Sequence, residues 1–270
     1  MDFKRVCITG GAGFVGSNLA IALRRAHSGV HVLAVDSLKR RGSELTLPRL
    51  REHGVDFRHG DIRRPEDLTE LPPFDLLLDC SAEPSVHAGA SGSPAFVLHT
   101  NLTGTIHLLE AARVRGAAVL FLSTSRVYPI EAINALAVDE APSRFEWRPD
   151  QGVLRFSEFG LSEDFSLEGP RSFYGTTKLA SEYLLQEYHY ACGMPALINR
   201  CGMLAGPWQM GKVDQGVVTL WVARHLFGQA LNYIGYGGTG KQVRDLLHID
   251  DLASLVLSQC RSAEGWKGQV

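Results

Sequence analysis

No apolar run in this 270-residue sequence is long enough to span a bilayer. No charge of one sign dominates either. Twenty-seven Lys and Arg against 29 Asp and Glu leave a formal net charge of −2. There is no basic excess to point to nucleic acid, and no acidic tail. Cysteine is scarce and scattered: the five, at positions 7, 80, 192, 201 and 260, include no Cys-x-x-Cys pair. That argues against a disulfide framework or a zinc site and for reduced thiols in the cytoplasm. The 10 histidines show no metal-ligand spacing, so no metal is expected. The N-terminus enters a core strand at once, unlike a signal peptide. A soluble cytoplasmic chain follows, 45% hydrophobic and long enough for one large α/β domain, alone or with a smaller lobe.

What is present is organised around VCITGGAGFVG, Val6 to Gly16. Val6-Cys7-Ile8 is a short apolar run of the buried-strand kind. It breaks at Gly10-Gly11 and restarts at Phe14-Val15 with apolar residues at helical spacing. Strand, glycine turn, helix is the context in which a glycine motif carries meaning. Gly10, Gly13 and Gly16 leave room for a tight turn, for a pyrophosphate against the backbone, and for close helix–strand packing. The first NH groups of the helix would receive the anion. By itself this spacing also suits an ordinary tight turn.

The chain beyond it repeats the alternation. Val30 to Asp36 reads as a second strand ending in an acid, about 20 residues past the glycines, where a dinucleotide fold binds the adenosine ribose. A carboxylate there repels a 2′-phosphate, so Asp36 favours NAD over NADP; the cations Lys39-Arg40-Arg41 read as a solvated loop. Val55 to Ile62 closes a third strand on Gly60-Asp61. Phe74 to Cys80 is a fourth, continuous and apolar, ending in the small residues Ser81-Ala82. A long helix is predicted from about Pro94 to Arg115, carrying Asn101. Ala117 to Leu122 is the fifth strand and runs into Ser123-Thr124-Ser125-Arg126. The alternation predicts a Rossmann-type doubly wound parallel sheet with ligands outside the carboxyl ends of its strands. Regularity fails over 129–173, a stretch long enough to be a functional loop or lid. A helix from Leu179 to Tyr190, a strand Ala196 to Arg200, a helix Val217 to Phe227, a short strand Leu231 to Ile234 and a last helix after GKQVRDLLHIDDLA follow. Gly268-Gln269-Val270 looks like the opening of another strand.

Tyr174 and Lys178 stand one helical turn apart in YGTTK, so one face presents both. A phenol titrates near pH ~10. A lysine one turn away would lower it toward neutrality, making a base that takes a proton from a substrate hydroxyl. Thr124, at the end of the fifth strand, can hydrogen-bond the same oxygen. The pair alone is an ordinary helix face; its weight comes from the order of glycine fingerprint, acid, Ser-Thr and Tyr-x-x-x-Lys.

The motifs TGGAGFVG, Asp36, Asp61-Ile62, Asn101, FLSTSRVY, YGTTK and VRDLLHIDD together resemble the extended short-chain dehydrogenase/reductase family, in its NAD-dependent epimerase/dehydratase type. The likeness runs through the whole chain. Within the type it is nearest the nucleotide-sugar epimerases of the CDP-paratose 2-epimerase group, through the long loop before Tyr174, Asp214-Gln215-Gly216, and Lys241, Gln242 and Arg244. The resemblance implies Thr124, Tyr174 and Lys178 as the catalytic set. It implies NAD as cofactor, lined by Gly10, Gly13, Phe14, Val15, Gly16, Asp36, Ser37, Asp61, Ile62, Ser81, Ala82, Asn101, Ser123, Tyr174 and Lys178. It implies a nucleotide-diphosphate sugar as substrate, met by Glu83, Ser125, Arg126, Asn199, Gln209, Gln215, Gln242 and Arg244. The Arg244 guanidinium suits a diphosphate; the plainer reading is a surface arginine paired with Asp245.

Two departures stand out. Family dehydratases carry Asp-Glu after the catalytic threonine, and here the pair is Ser125-Arg126, which removes acid/base groups used to eliminate water. Relatives also run on past the position of Val270, which implies a partial substrate lobe. The expected layout is a cofactor-binding domain over 1–200 with the 129–173 insertion, then a partial lobe over 201–270, of which 232–260 returns to pack on the main domain. The function expected is epimerisation by transient oxidation to a keto-sugar. Net oxidoreduction of a keto-sugar and non-catalytic dinucleotide binding are the alternatives. Relatives often dimerise through a helix pair that here would include Tyr183 to Tyr190 and the Asn101 helix, so a homodimer is one of the states left open.

Overall fold

The computed structural model describes residues 2–149, 151–153, 155–157, 159–211 and 216–270. The first half of the chain alternates as its pattern requires: β1 (Arg5–Thr9), α1 (Phe14–Ala26), β2 (His31–Asp36), α2 (Leu47–Glu52), β3 (Asp56–His59), α3 (Pro65–Thr69) and β4 (Leu76–Asp79). The long helix is α4 (Ala95–Leu98) and α5 (Gly104–Arg113), joined without a break in helical backbone by a wide π turn over His99–Thr103. Such turns are rare and cluster at functional sites; this one carries Asn101. Then comes β5 (Ala118–Thr124), whose seven residues are all buried.

In the irregular insertion, short elements replace regular ones: α6 (Ile130–Asn134), a hairpin of β6 (Val138–Glu140) and β7 (Phe145–Trp147), and another of β8 (Phe156–Ser157) and β9 (Gly160–Leu161). Helix α7 (Phe173–Cys192) starts earlier than its pattern suggested, because the Ser172 hydroxyl accepts the Gly175 NH at 3.1 Å and caps it. The chain closes with β10 (Ala196–Cys201), β11 (Met203–Ala205), α8 (Val217–Leu226), β12 (Leu246–His248), α9 (Ile249–Gln259) and β13 (Lys267–Gln269).

The main sheet has seven strands in the order β13-β10-β5-β4-β1-β2-β3. Every pairing in it is parallel. Strand order reverses between β1 and β4, which puts the glycine turn after β1 at the switch point where such sheets bind ligands. Apolar side chains alternate between two layers. One face packs on α1 and α9 through Leu19, Leu23, Leu252 and Val256; the other packs on α5 and α7 through Leu108, Leu109 and Leu185. The C-terminal Lys267–Gln269 segment does form a strand, on the edge beside β10. The expected strand at Leu231 to Ile234 does not form. Tyr233 instead stacks on Trp221 at 5.5 Å, and Gln242 takes the Ile234 carbonyl at 2.8 Å, so ring packing and a side-chain tie replace a ladder. Among the described residues no helix is long and apolar enough to cross a membrane.

Candidate active site

The glycine turn is sterically compulsory. Gly10 sits at φ +63°, and a Cβ there would lie 2.7 Å from the Cys80 carbonyl oxygen. A Cβ on Gly16 would lie 2.3 Å from the Gly10 oxygen, and one on Gly11 2.6 Å from the Ala34 Cβ. Gly11 therefore matters as much as the three glycines the spacing singled out. Gly13 is the N-cap of α1, in extended backbone, and no side chain caps the helix. The open helix end, with no Cβ at its mouth, forms a cradle of the kind that suits an anion. Phe14 and Val15 turn their side chains onto the core beneath it.

Asp36 ends β2 beside this cradle. Its carboxylate accepts the NH of Ala12 at 3.1 Å and of Leu38 at 2.8 Å. Burial nevertheless holds its pKa above the usual carboxylate value, against the pull of those NH groups. Ser37 lies next in the chain, its carbonyl within 3.2 Å of the His59 ring. Asp61 is engaged in a fork with Arg63, which draws its pKa down despite some burial. Ile62 is a core residue: its side chain fills the space over Gly104, and its carbonyl is held by the His107 ring at 2.9 Å. Ser81 donates to Asp79 at 2.5 Å, and Ala82 follows, partly buried. Asn101 is committed at both ends. Its amide donates to the Glu83 carbonyl at 3.1 Å and Thr177 at 3.2 Å, and its oxygen takes the Glu83 NH at 2.8 Å. It braces the loop after β4 against α7.

Helix α7 brings the expected catalytic residues to one face. Tyr174, Lys178 and Glu182 follow one another at helical spacing and meet the end of β5 at three consecutive residues. The Tyr174 phenol hydrogen-bonds Thr124. The Lys178 ammonium donates to the Leu122 carbonyl at 2.8 Å and lies 4.2 Å from the centre of the Phe121 ring. Glu182 receives the Ser123 hydroxyl. This close seating depends on Gly175, where a Cβ would stand 2.2 Å from the Arg126 carbonyl oxygen.

The electrostatics correct one expectation. Burial raises the Tyr174 pKa above that of an ordinary phenol; the Thr124 hydrogen bond opposes the rise, Cys201 adds to it, and Arg126 is the cation that lowers it. Lys178 is not that cation, because its ammonium is turned to the strand backbone and the Phe121 ring. Lys178 is itself shifted down by burial, with Asp79, Cys80, Cys201 and Glu182 opposing. Ser123 is a second correction: its hydroxyl points into the buried Glu182 cluster rather than outward.

Several residues expected to meet substrate are tied elsewhere. Asn199 exchanges paired amide hydrogen bonds of 2.9 Å with Gln259, because strand alternation turns it to the α9 layer. Gln209 donates to the Leu204 carbonyl at 2.8 Å and accepts from Thr219 at 2.7 Å, fastening its loop to α8. Gln242 holds the Ile234 carbonyl. Glu83 takes the Ser85 NH at 3.3 Å. Ser125 and Arg126 form the turn immediately after Thr124, with Arg126 exposed. Arg244 is exposed, donates to its own neighbour's carbonyl at Val243, and makes no ion pair with Asp245. Asp214 and Gln215 lie outside the described residues.

The whole chain from 6 to 269 matches the model of the NAD dependent epimerase/dehydratase family. The chain belongs to that family. It is 28% identical over 276 residues to a CDP-paratose 2-epimerase of Salmonella typhi, covering 98% of this chain and 77% of the relative. It is 32% identical over 249 residues to a dTDP-glucose 4,6-dehydratase of Xanthomonas campestris, covering 90% of this chain and 64% of the relative. Among solved structures, it superposes with a TM-score of 0.75 on a dTDP-glucose 4,6-dehydratase double mutant from Streptomyces venezuelae crystallised with NAD, at 28% identity over 98% of this chain and 74% of the other. It superposes at 0.74 on a UDP-glucuronic acid 4-epimerase from Bacillus cereus in complex with UDP-glucuronic acid and NAD, at 25% identity, covering 98% and 76%. The expected fold and family stand together with this result; the family's own description is NAD dependence.

Reasoning from sequence missed four parts of the site: Gly11, Asp79, Glu182 and Arg200. Asp79 is buried at the end of β4 and takes the Thr9 hydroxyl at 2.8 Å. A signal existed for Glu182, since Tyr174, Lys178 and Glu182 continue one helical stripe. None existed for Arg200, which reaches the site from another strand.

Proposed function

We propose that this chain binds NAD and epimerises a nucleotide-diphosphate sugar. The observation that carries the reading is the junction of β5 and α7, where Thr124, Tyr174 and Lys178 converge while the turn after Thr124 supplies Ser125 and Arg126 and no carboxylate. The dehydratases of the family place Asp-Glu at that turn. Elimination of water needs an added acid and base; inversion of a carbinol carbon needs only one group to take and return a proton.

The residues present fit the cofactor. The uncapped end of α1 and the open glycine turn suit its diphosphate, Asp36 its adenosine ribose, and Lys178 its second ribose. When bound, NAD supplies a two-electron acceptor that is restored within each cycle. Tyr174 takes the proton from the sugar hydroxyl as that carbon is oxidised, and Thr124 holds the same oxygen. After the keto-sugar has presented its other face, Tyr174 returns the proton. The exposed Arg244 meets the sugar nucleotide's diphosphate.

The test is incubation of purified protein with CDP-, UDP-, GDP- and dTDP-sugars, followed by mass spectrometry and NMR of the sugar. One epimer should form at constant sugar mass with no net NADH. Loss of water from the sugar would replace epimerisation with dehydration. Stoichiometric NADH would mean net oxidoreduction. Retained NAD with every sugar unaltered would mean a dinucleotide-binding protein.

A further inference from the structure

Lys178 and Glu182 occupy the same face of α7, one turn apart, and both are buried, at 3% and 1% exposure. Opposite charges so placed away from water attract strongly. Left alone, the ammonium and carboxylate would pair. In the structure they do not. Glu182 is claimed by Arg200, whose Nε lies 3.1 Å from both carboxylate oxygens and whose second nitrogen lies 2.7 Å from Oε2. Ser123 donates to the same carboxylate. Arg200 is in turn fixed by the Tyr128 hydroxyl at 3.1 Å and the Glu163 carbonyl at 2.7 Å, with its guanidinium 5.3 Å from the Tyr128 ring centre. It also sits opposite Ser123 in the β5–β10 register. The Lys178 ammonium, free of Glu182, reaches the Leu122 carbonyl at the site instead.

We propose that Arg200 is a positioning residue that holds Glu182 away from Lys178, keeping the ammonium at the cofactor site. The inference rests on the reading of Lys178 as a cofactor-holding residue. The Arg200–Glu182 pair is not explained by stability alone, since buried ion pairs are often replaceable by apolar groups of similar volume without loss. A fork that binds both carboxylate oxygens is what a competitor for a nearby ammonium requires. Because Glu163 belongs to the insertion, the same arginine also seats that loop beside the site.

Arg200→Met, Glu182→Gln and the double variant separate this from a merely structural role. NAD affinity by calorimetry should fall about tenfold in Arg200→Met, the scale of one charge-assisted hydrogen bond between Lys178 and the cofactor. It should return to the wild-type value in the double variant, where no carboxylate remains to capture Lys178, although the Tyr128 and Glu163 hydrogen bonds stay broken. A double variant as weak as Arg200→Met, or an Arg200→Met protein that binds like wild type, would overturn the inference. A crystal structure of Arg200→Met without cofactor reads the capture directly. Lys178 Nζ within about 4 Å of Glu182 is expected; Nζ still on the Leu122 carbonyl defeats the proposal even if no form of the protein binds NAD. Failure of the wild-type chain to bind NAD overturns the cofactor reading instead. If Arg200→Met does not fold, Arg200→Lys is used, alone and with Glu182→Gln. It keeps the charge but loses the fork, and it should show a smaller loss with the same rescue.

Discussion

At the scale of single residues, Tyr174 sets the pH behaviour that the proposed function requires. Its phenol is pushed above the ordinary value by burial, so less phenolate exists at neutral pH and turnover should climb as pH rises into the alkaline range. Thr124→Val removes the hydrogen bond that opposes this rise. The alkaline limb should then move to higher pH and turnover at pH 7 should fall; an unmoved limb would remove Thr124 from the role. Tyr174→Phe should bind NAD as wild type does and lose turnover by about 10²–10⁴-fold, the usual worth of a general base. Asp36→Ala should weaken NAD far more than NADP in calorimetry, and equal losses would contradict the ribose role. The sequence motifs made Tyr174, Thr124 and Asp36 legible. The partner of the Lys178 ammonium was not legible, because a main-chain carbonyl carries no side-chain signature.

At the scale of elements, the site depends on how closely a helix approaches a strand end. In Gly175→Ala the new Cβ meets backbone, the Arg126 carbonyl, at 2.2 Å, and backbone has no rotamer to yield. The first turn of α7 must move off, separating Tyr174 from Thr124; a displacement of this kind costs about 10²-fold in turnover, with NAD affinity much less affected. Gly16→Ala strikes the Gly10 carbonyl at 2.3 Å in the cradle itself, so there NAD binding should be lost along with about 1–3 kcal/mol of stability in a denaturant titration. Ser172→Ala removes only the cap of α7 and should cost about 1 kcal/mol while leaving the site's geometry in place. Strands and helices were legible because their apolar periods are long. The wide turn at Asn101 and the missing strand at Leu231 to Ile234 were not, since a one-residue bulge leaves the period nearly unchanged and a short apolar run does not say whether a sheet edge stands beside it.

At the scale of the molecule, burial sorts the thiols. All five cysteines are free, and only Cys192 is exposed. Desolvation pushes Cys7 up to about 12, Cys201 to about 11 and Cys260 to about 12, and raises Cys80 as well. A thiol reagent should therefore label Cys192 quickly in the native protein, and the buried Cys7, Cys201 and Cys260 only on unfolding; rapid native labelling of Cys201 would mean the end of β10 is open. The face through which a homodimer would form does expose apolar side chains, Ile106 at 37%, Tyr183 at 51% and Tyr190 at 88%. Light scattering at twice the 29.5 kDa chain mass, reduced to one by Tyr183→Glu, is the outcome a dimer through that face requires; a single-chain mass for wild type would exclude it.

Sequence alone determined the alternation of strands and helices, the glycine turn after the first strand, the acid after β2 and the Tyr174–Lys178 stripe. All of these are local: a period, a spacing, or a residue type at the end of one element. Tertiary structure alone decided which groups reach one another across elements. Asn199 faces Gln259 and Ser123 faces Glu182 because strand alternation and sheet register assign their sides. Arg200 on β10 reaches Glu182 on α7 because β10 lies beside β5, a neighbour distant in sequence. Register and long-range pairing depend on the packing of the whole chain, so no local pattern encodes them.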